Sequence, residues 1–162
     1  MQILFWTFLG GVTGAVLMDI AETLAAGRGI ASGVTPALIG RWFLNLLQRK
    51  FKHTDILESE PLPHEVIAGQ AFHYLVGGGG VALSYPFFFF ITGLEMPHTH
   101  LLSGLVFGLA TSLLPWFILL PSFGWGICGV RGPRHANPLL ASTLAHVPYG
   151  FGVGFVLTAA PI

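Results

Sequence analysis

Four stretches of this chain each run for roughly twenty residues, the length that crosses a bilayer core, with almost no charge. In hydrocarbon every backbone N–H and C=O must be satisfied within the segment itself, so stretches of this kind fold as helices or not at all. They extend from about Ile3 to Ala26, Glu65 to Ile91, Leu101 to Leu120 and Pro138 to Ala160. Gly27 is a good helix terminator, Pro121 stops the third stretch, and Pro138 sits in a first turn where its missing N–H does no harm. Only 9% of residues are charged and 53% are hydrophobic, with mean hydropathy +0.74; soluble domains carry about a quarter charged residues. The expectation is an all-α integral membrane bundle of four transmembrane helices, one transmembrane domain over 1–162. The first stretch is read as a retained helix, because no Lys or Arg precedes it and Asp19 and Glu22 interrupt its end, unlike a secretory signal.

The positive charges divide sharply. Arg28, Arg41, Arg49, Lys50 and Lys52 lie between the first and second stretches, and Arg131 and Arg134 between the third and fourth. The GLEMPHTH loop and both termini have none. The positive-inside rule puts the two basic loops in the cytoplasm and both termini on the opposite, periplasmic side. Residues 35–51, TPALIGRWFLNLLQRKF, have apolar positions at helical spacing and a basic end. They predict a short amphipathic cytoplasmic helix at the membrane surface, with Trp42 and Phe43 suited to the headgroup zone. A net charge of zero gives no pull toward nucleic acid. Cys128 is the sole cysteine, which excludes an internal disulfide or a CxxC site.

Helices in lipid approach through small residues. Gly10 and Gly14, Gly104 and Gly108, and Gly150 and Gly154 have the GxxxG spacing and predict contact faces. Gly77 to Gly80 are either a further contact face or an unwound break of the kind that lines transporter sites. The following PFFFF is expected to face lipid or the outer interface.

The acids raise the functional question. At 1.5 Å per residue, Asp19, His73 and His146 each lie about 12 Å in from a cytoplasmic helix end, and Ser112 falls at a similar depth on the third helix. Glu22, Gln70 and Thr143 are three residues from Asp19, His73 and His146 and share their faces. Intramembrane ionisable groups face a bundle interior and pair with one another, so Asp19, His73 and His146 are expected to converge. Three readings stand open. The layer is a hydrogen-bonded clasp; it binds or passes a proton or a divalent metal ion; or a His–Asp pair acts as general base on a lipid headgroup at the cytoplasmic leaflet.

The loops add weaker candidates. Arg131, Arg134 and Asn137 precede the N-terminus of the fourth helix, where an anion or headgroup would be favoured. Arg41, beside Trp42, could hold lipid phosphate or fold back onto Asp19 or Glu22. Glu95, His98 and His100 in LEMPHTH have donors for Cu²⁺ or Zn²⁺. Gly124, Gly126 and Gly129 spell GxGxxG without the strand that a nucleotide fingerprint needs, so they predict a tight loop packed on the bundle.

The motifs LMDI, IGRWF, AFHYLVG, LLPWFILLPSFGWGI and STLAHVPYGFGVG, spread over nearly the whole chain, resemble a family of small bacterial membrane proteins known only as a domain of unknown function. The resemblance implies a four-helix bacterial inner-membrane protein. It marks Asp19, Arg41, Trp42, His73, Pro115, Gly124, Gly126 and His146 as the matching positions, and it implies no reaction. Expected partners are membrane lipids, together with a membrane-protein partner or a second copy if the role is accessory.

Overall fold

The computed structural model describes residues 1–161. Among them there is no strand. Five helices build the described residues, α1 (Gln2–Ala26), α2 (Pro36–Leu47), α3 (Glu65–Thr92), α4 (Leu101–Ser122) and α5 (Pro138–Ala159), with a short 3-10 turn at Ile127–Gly129. All but α2 are long and apolar enough to cross a membrane, and α2 is the short helix expected between the first two. The third span passes Pro121 rather than stopping there. A π-helical stretch, Pro115–Leu119, precedes a short α-helical segment beginning at Leu120. Pro121 is the penultimate residue of α4, which ends one residue later at Ser122.

The tetraglycine is not a break. Phe72–Gly80 form a π-helix within α3, so the backbone bonds stay inside the helix at i→i+5 spacing. A helix that satisfies its own backbone has no need to unwind in an apolar setting. The helix closes at Gly93, which is left-handed (φ 70°) and donates its N–H to the Phe89 carbonyl.

The chain divides into two compact units. The first comprises Met1–Ala21, Tyr74–Thr111 and Leu144–Ile162. Its helices meet backbone to backbone at glycines, as the GxxxG spacings predict. A Cβ on Gly104 would meet the Gly150 carbonyl oxygen and the Gly154 backbone at 2.7 Å, and one on Gly14 would lie 2.5 Å from the Tyr149 carbonyl oxygen. Ala82, Tyr85, Tyr149, Val153 and Leu157 form its buried core, with Phe107 packed against them.

The second unit comprises Glu22–His73 and Ser112–Thr143. It holds all seven Lys and Arg residues. Thr35 caps α2, its side-chain oxygen accepting the Leu38 N–H at 3.3 Å, and Pro36 occupies the first turn. Leu38, Trp42, Ile56, Leu120, Phe123 and Trp125 make its core. The segment after α2 is laid onto the end of α4: His53 N–H donates to the Ser122 carbonyl and Ile56 N–H to the Phe123 carbonyl, at 2.8 and 2.9 Å. Gly124 has a left-handed φ of 90°, and an added Cβ would collide with the Thr54 carbonyl, so the expected tight loop is packed on this segment.

Large apolar side chains point outward along all four long helices, among them Phe5 and Ile20 on α1, Leu75 and Phe90 on α3, Val106 and Phe117 on α4, and Leu144 and Phe155 on α5. Phe87, Phe88 and Phe90 of the PFFFF run are exposed, while Phe89 packs edge-on against Tyr85.

Candidate functional site at Asp19

Asp19 lies on α1 one residue after Met18, a half-buried side chain packed on the core of the first unit. It meets Tyr74, the third residue of the π-helical stretch of α3. The Tyr74 hydroxyl donates to Asp19 Oδ2 at 2.5 Å, the short end of the range for an O–H donating to a charged oxygen. Both residues are half-buried. Tyr74 is a hydrogen-bond partner that depth counting does not identify; its signal is a hydroxyl beside His73 in an otherwise apolar AFHYLVG.

The other members of the expected polar layer are distributed as follows. His146 belongs to the first unit with Asp19, its ring edge-on to Tyr149 with centroids 6.1 Å apart. The Tyr149 hydroxyl, in turn, donates to the Gly78 carbonyl at 2.8 Å. Glu22, Gln70, His73, Ser112 and Thr143 belong to the second unit. There Thr143 bonds back to the Leu139 carbonyl at 2.8 Å, Ser112 is fully buried, and Gln70 is exposed rather than interior. Among the described residues no group of three or more His, Cys, Asp or Glu side chains is gathered so as to hold a metal ion.

Arg41 does not fold back onto Asp19 or Glu22. It pairs with Glu65 through both forks, Nε to Oε2 and Nη2 to Oε1 at 2.9 Å each. Its Nη1 donates to the Ile56 and Ser59 carbonyls at 3.1 and 2.9 Å. The residue is 8% exposed and its guanidinium is spent on the protein. The hydrogen bonds it donates to Glu65 hold its proton more tightly than an ordinary guanidinium, against the opposing effect of burial. The cause is local: α2 and the start of α3 approach so closely that a Cβ on Gly40 would overlap the Glu65 carbonyl, which brings the two side chains together. Trp42 is likewise buried instead of facing headgroups, with its indole N–H donated to the Phe51 carbonyl at 3.0 Å. Below Arg41, His53 is buried and its Nδ1 lies 2.9 Å from Ser59 Oγ. Burial first, then the charges of Lys50 and Arg41, push its pKa below the ordinary histidine value.

Arg131 and Arg134 are exposed. Asn137 caps α5, its side-chain oxygen accepting the Leu140 N–H at 3.2 Å, and its own N–H donates to the Ala31 carbonyl. In the LEMPHTH loop the three candidate ligands part company. Glu95 and His98 are exposed, whereas His100 is 6% exposed and turns into the first unit, where Nδ1 is 2.9 Å from the Tyr85 hydroxyl. Burial lowers its pKa. Among the described residues these three are not gathered as a metal-holding group.

The family described as a protein of unknown function (DUF2938) matches residues 8–161. The chain belongs to that family, the kind of uncharacterised family that its motifs resemble. No curated protein and no solved structure matches it.

Proposed function

We propose that this member of an uncharacterised family is a multi-pass inner-membrane protein that takes up and passes protons at Asp19. The observation that carries the reading is the 2.5 Å hydrogen bond from Tyr74 to Asp19 within two apolar spans. A carboxylate in a span is costly and marks function by default. Here its oxygen is met by a proton donor, and a phenol O–H is chemically suited to sharing a proton with a carboxylate. Among the described residues no three His, Cys, Asp or Glu side chains gather to hold a metal ion, which favours a proton over a metal ion. The positive-inside rule supports cytoplasmic basic loops and periplasmic termini, so proton passage would run between those compartments.

The test is proton flux into liposomes carrying the purified protein, an internal pH dye and an imposed potassium diffusion potential. Wild type should conduct above empty liposomes. Asp19→Asn should abolish flux while keeping the wild-type melting temperature, and Tyr74→Phe should reduce it. Wild-type flux no higher than empty liposomes, or an Asp19→Asn variant that conducts normally, overturns the proposal. If Asp19→Asn lowers only the melting temperature, the hydrogen bond is a helix clasp and the protein serves a membrane complex structurally.

A further inference from the structure

The first unit contains a second polar cluster, formed by His100 with Tyr85, Ser103 and Thr158. His100 precedes the first residue of α4. Its backbone N–H donates to Thr158 Oγ1 of α5 at 2.9 Å, and its carbonyl accepts the Gly104 N–H at 2.7 Å. The backbone of His100 is thereby held from two directions. Nδ1 is 2.9 Å from the Tyr85 hydroxyl of α3. That hydroxyl is 2.6 Å from Ser103 Oγ, and Ser103 Oγ reaches the His100 carbonyl at 3.3 Å. Tyr85 is 3% exposed, with its ring packed edge-on against Phe89 and Phe107. Ser103 is half-buried.

The chain of bonds can run in either direction. With His100 neutral and Nδ1 unprotonated, Tyr85 donates to Nδ1 and Ser103 donates to the Tyr85 oxygen. With Nδ1 protonated, Nδ1–H donates to the Tyr85 oxygen, Tyr85 donates to Ser103 Oγ, and Ser103 donates to the His100 carbonyl. Each state keeps the phenol bonded on both sides, and only two hydroxyl rotors turn between them. A buried polar group left unbonded is what makes most such sites single-state; this one is satisfied in both.

We infer that His100, Tyr85 and Ser103 form a proton-binding relay on the GLEMPHTH side of the protein. The inference rests on the proton-passing reading of Asp19 and assigns that reading its gate on the far side. The relay balances. A proton arriving at Ser103 Oγ displaces the serine's own proton onto the Tyr85 oxygen. Tyr85 passes its own proton to Nδ1, and His100 becomes an imidazolium. Loss of the Nε2 proton leaves a neutral ring that carries its proton on Nδ1; exchange of that proton to Nε2 by way of water, with rotation of the two hydroxyls, resets the chain. One proton enters and one leaves. The charged groups around it are few. α3 presents Tyr85, α4 has no ionisable side chain from Leu101 to Thr111, and α5 has none from Phe151 to Ala160. In the loop itself Glu95 and His98 are the ionisable neighbours. Lys and Arg are missing from the whole unit, so an imidazolium here would have no fixed side-chain cation to oppose it.

Two measurements test the relay on the full chain. In nanodiscs with ¹⁵N-labelled histidine, His100 (assigned with His100→Gln) should titrate as one group with Nδ1 as the acceptor when neutral. Tyr85→Phe should lower its midpoint by about one pH unit, a tenfold change in proton affinity. In liposomes with the GLEMPHTH side acidified, Ser103→Ala and Tyr85→Phe should slow flux and shift its pH profile. A His100 that stays neutral to about pH 4, or a midpoint unmoved by both Tyr85→Phe and Ser103→Ala, overturns the relay. So does normal flux with an unchanged pH profile in folded His100→Gln, which leaves Asp19 intact as the proton site. If the wild type passes no protons, the reading of Asp19 fails, and the nitrogen titration still decides whether the relay exists.

Discussion

Arg41→Ala should be the most damaging single change in the second unit. The wild-type guanidinium makes a two-pronged pair with Glu65 and donates to the Ile56 and Ser59 carbonyls. The two side chains are 9% and 12% exposed, so this is not a solvated surface pair. Removing one partner of a buried pair costs about 3–5 kcal/mol, because the other charge is left behind. Glu65 still accepts the Leu62 N–H through Oε2 at 3.0 Å, which places the cost at the lower end, about 3 kcal/mol. At roughly 2–4 °C per kcal/mol for a chain of this size, the melting temperature should fall by about 6–12 °C. Differential scanning fluorimetry in detergent reads that shift. Hydrogen exchange locates it: the His53 and Ile56 amides, bonded to the Ser122 and Phe123 carbonyls, should lose protection. Arg41→Lys keeps the charge but not the fork and should fall between. The double variant Arg41→Ala/Glu65→Ala should be milder than the sum of the singles. A melting temperature within about 1 °C of wild type, with His53 and Ile56 still protected, refutes the argument.

Two further outcomes follow from other groups. His53 has a folded-state pKa below its unfolded value, so the folded state binds fewer protons across that window and stability rises with pH there. Acidifying from neutral through about 6.5 should therefore lower the melting temperature, and His53→Gln should flatten that dependence; an equal slope in the variant removes His53 as the cause. Cys128 is the sole cysteine and is partly exposed in the loop that carries Arg131 and Arg134. In right-side-out vesicles a membrane-impermeant maleimide should leave it unlabelled until the membrane is opened, whereas Cys128→Ser/His98→Cys should label at once; the reverse pattern inverts the topology.

The apolar runs foretold the four long helices to within a residue or two at most ends, because hydropathy measures length directly. The GxxxG pairs foretold the glycine contacts, because small residues at one-turn spacing have little other use in lipid. Partners across helices were much harder to see. Counting depth ranks residues along an axis but says nothing of their direction around it. In α3 the i, i+3 rule joined Gln70 to His73, yet the helix widens at Phe72, Gln70 faces outward, and Tyr74 hydrogen-bonds Asp19. Glu65 was read only as a helix boundary, so its pairing with an arginine 24 positions earlier left no local mark. His100 was grouped with His98 by a ligand-like spacing. The better signal lay in Tyr85, Ser103 and Thr158, hydroxyls set among otherwise apolar neighbours.

The π-helical stretch has a mechanical consequence. A wide turn is a local surplus of chain within a helix, and it can travel by exchanging one backbone bond at a time. Each residue it passes is turned by about 100° around the axis, the angular step of an α-helix. Tyr74 lies inside the stretch Phe72–Gly80, so its place beside Asp19 depends on where the surplus is stored, not on a rotamer. Displacing the wide turn past Tyr74 would carry the phenol off the carboxylate by rotation about the α3 axis. The Tyr149 hydroxyl, bonded to the Gly78 carbonyl, grips the same stretch near its other end. It acts as a detent on a register that the helix could otherwise slip.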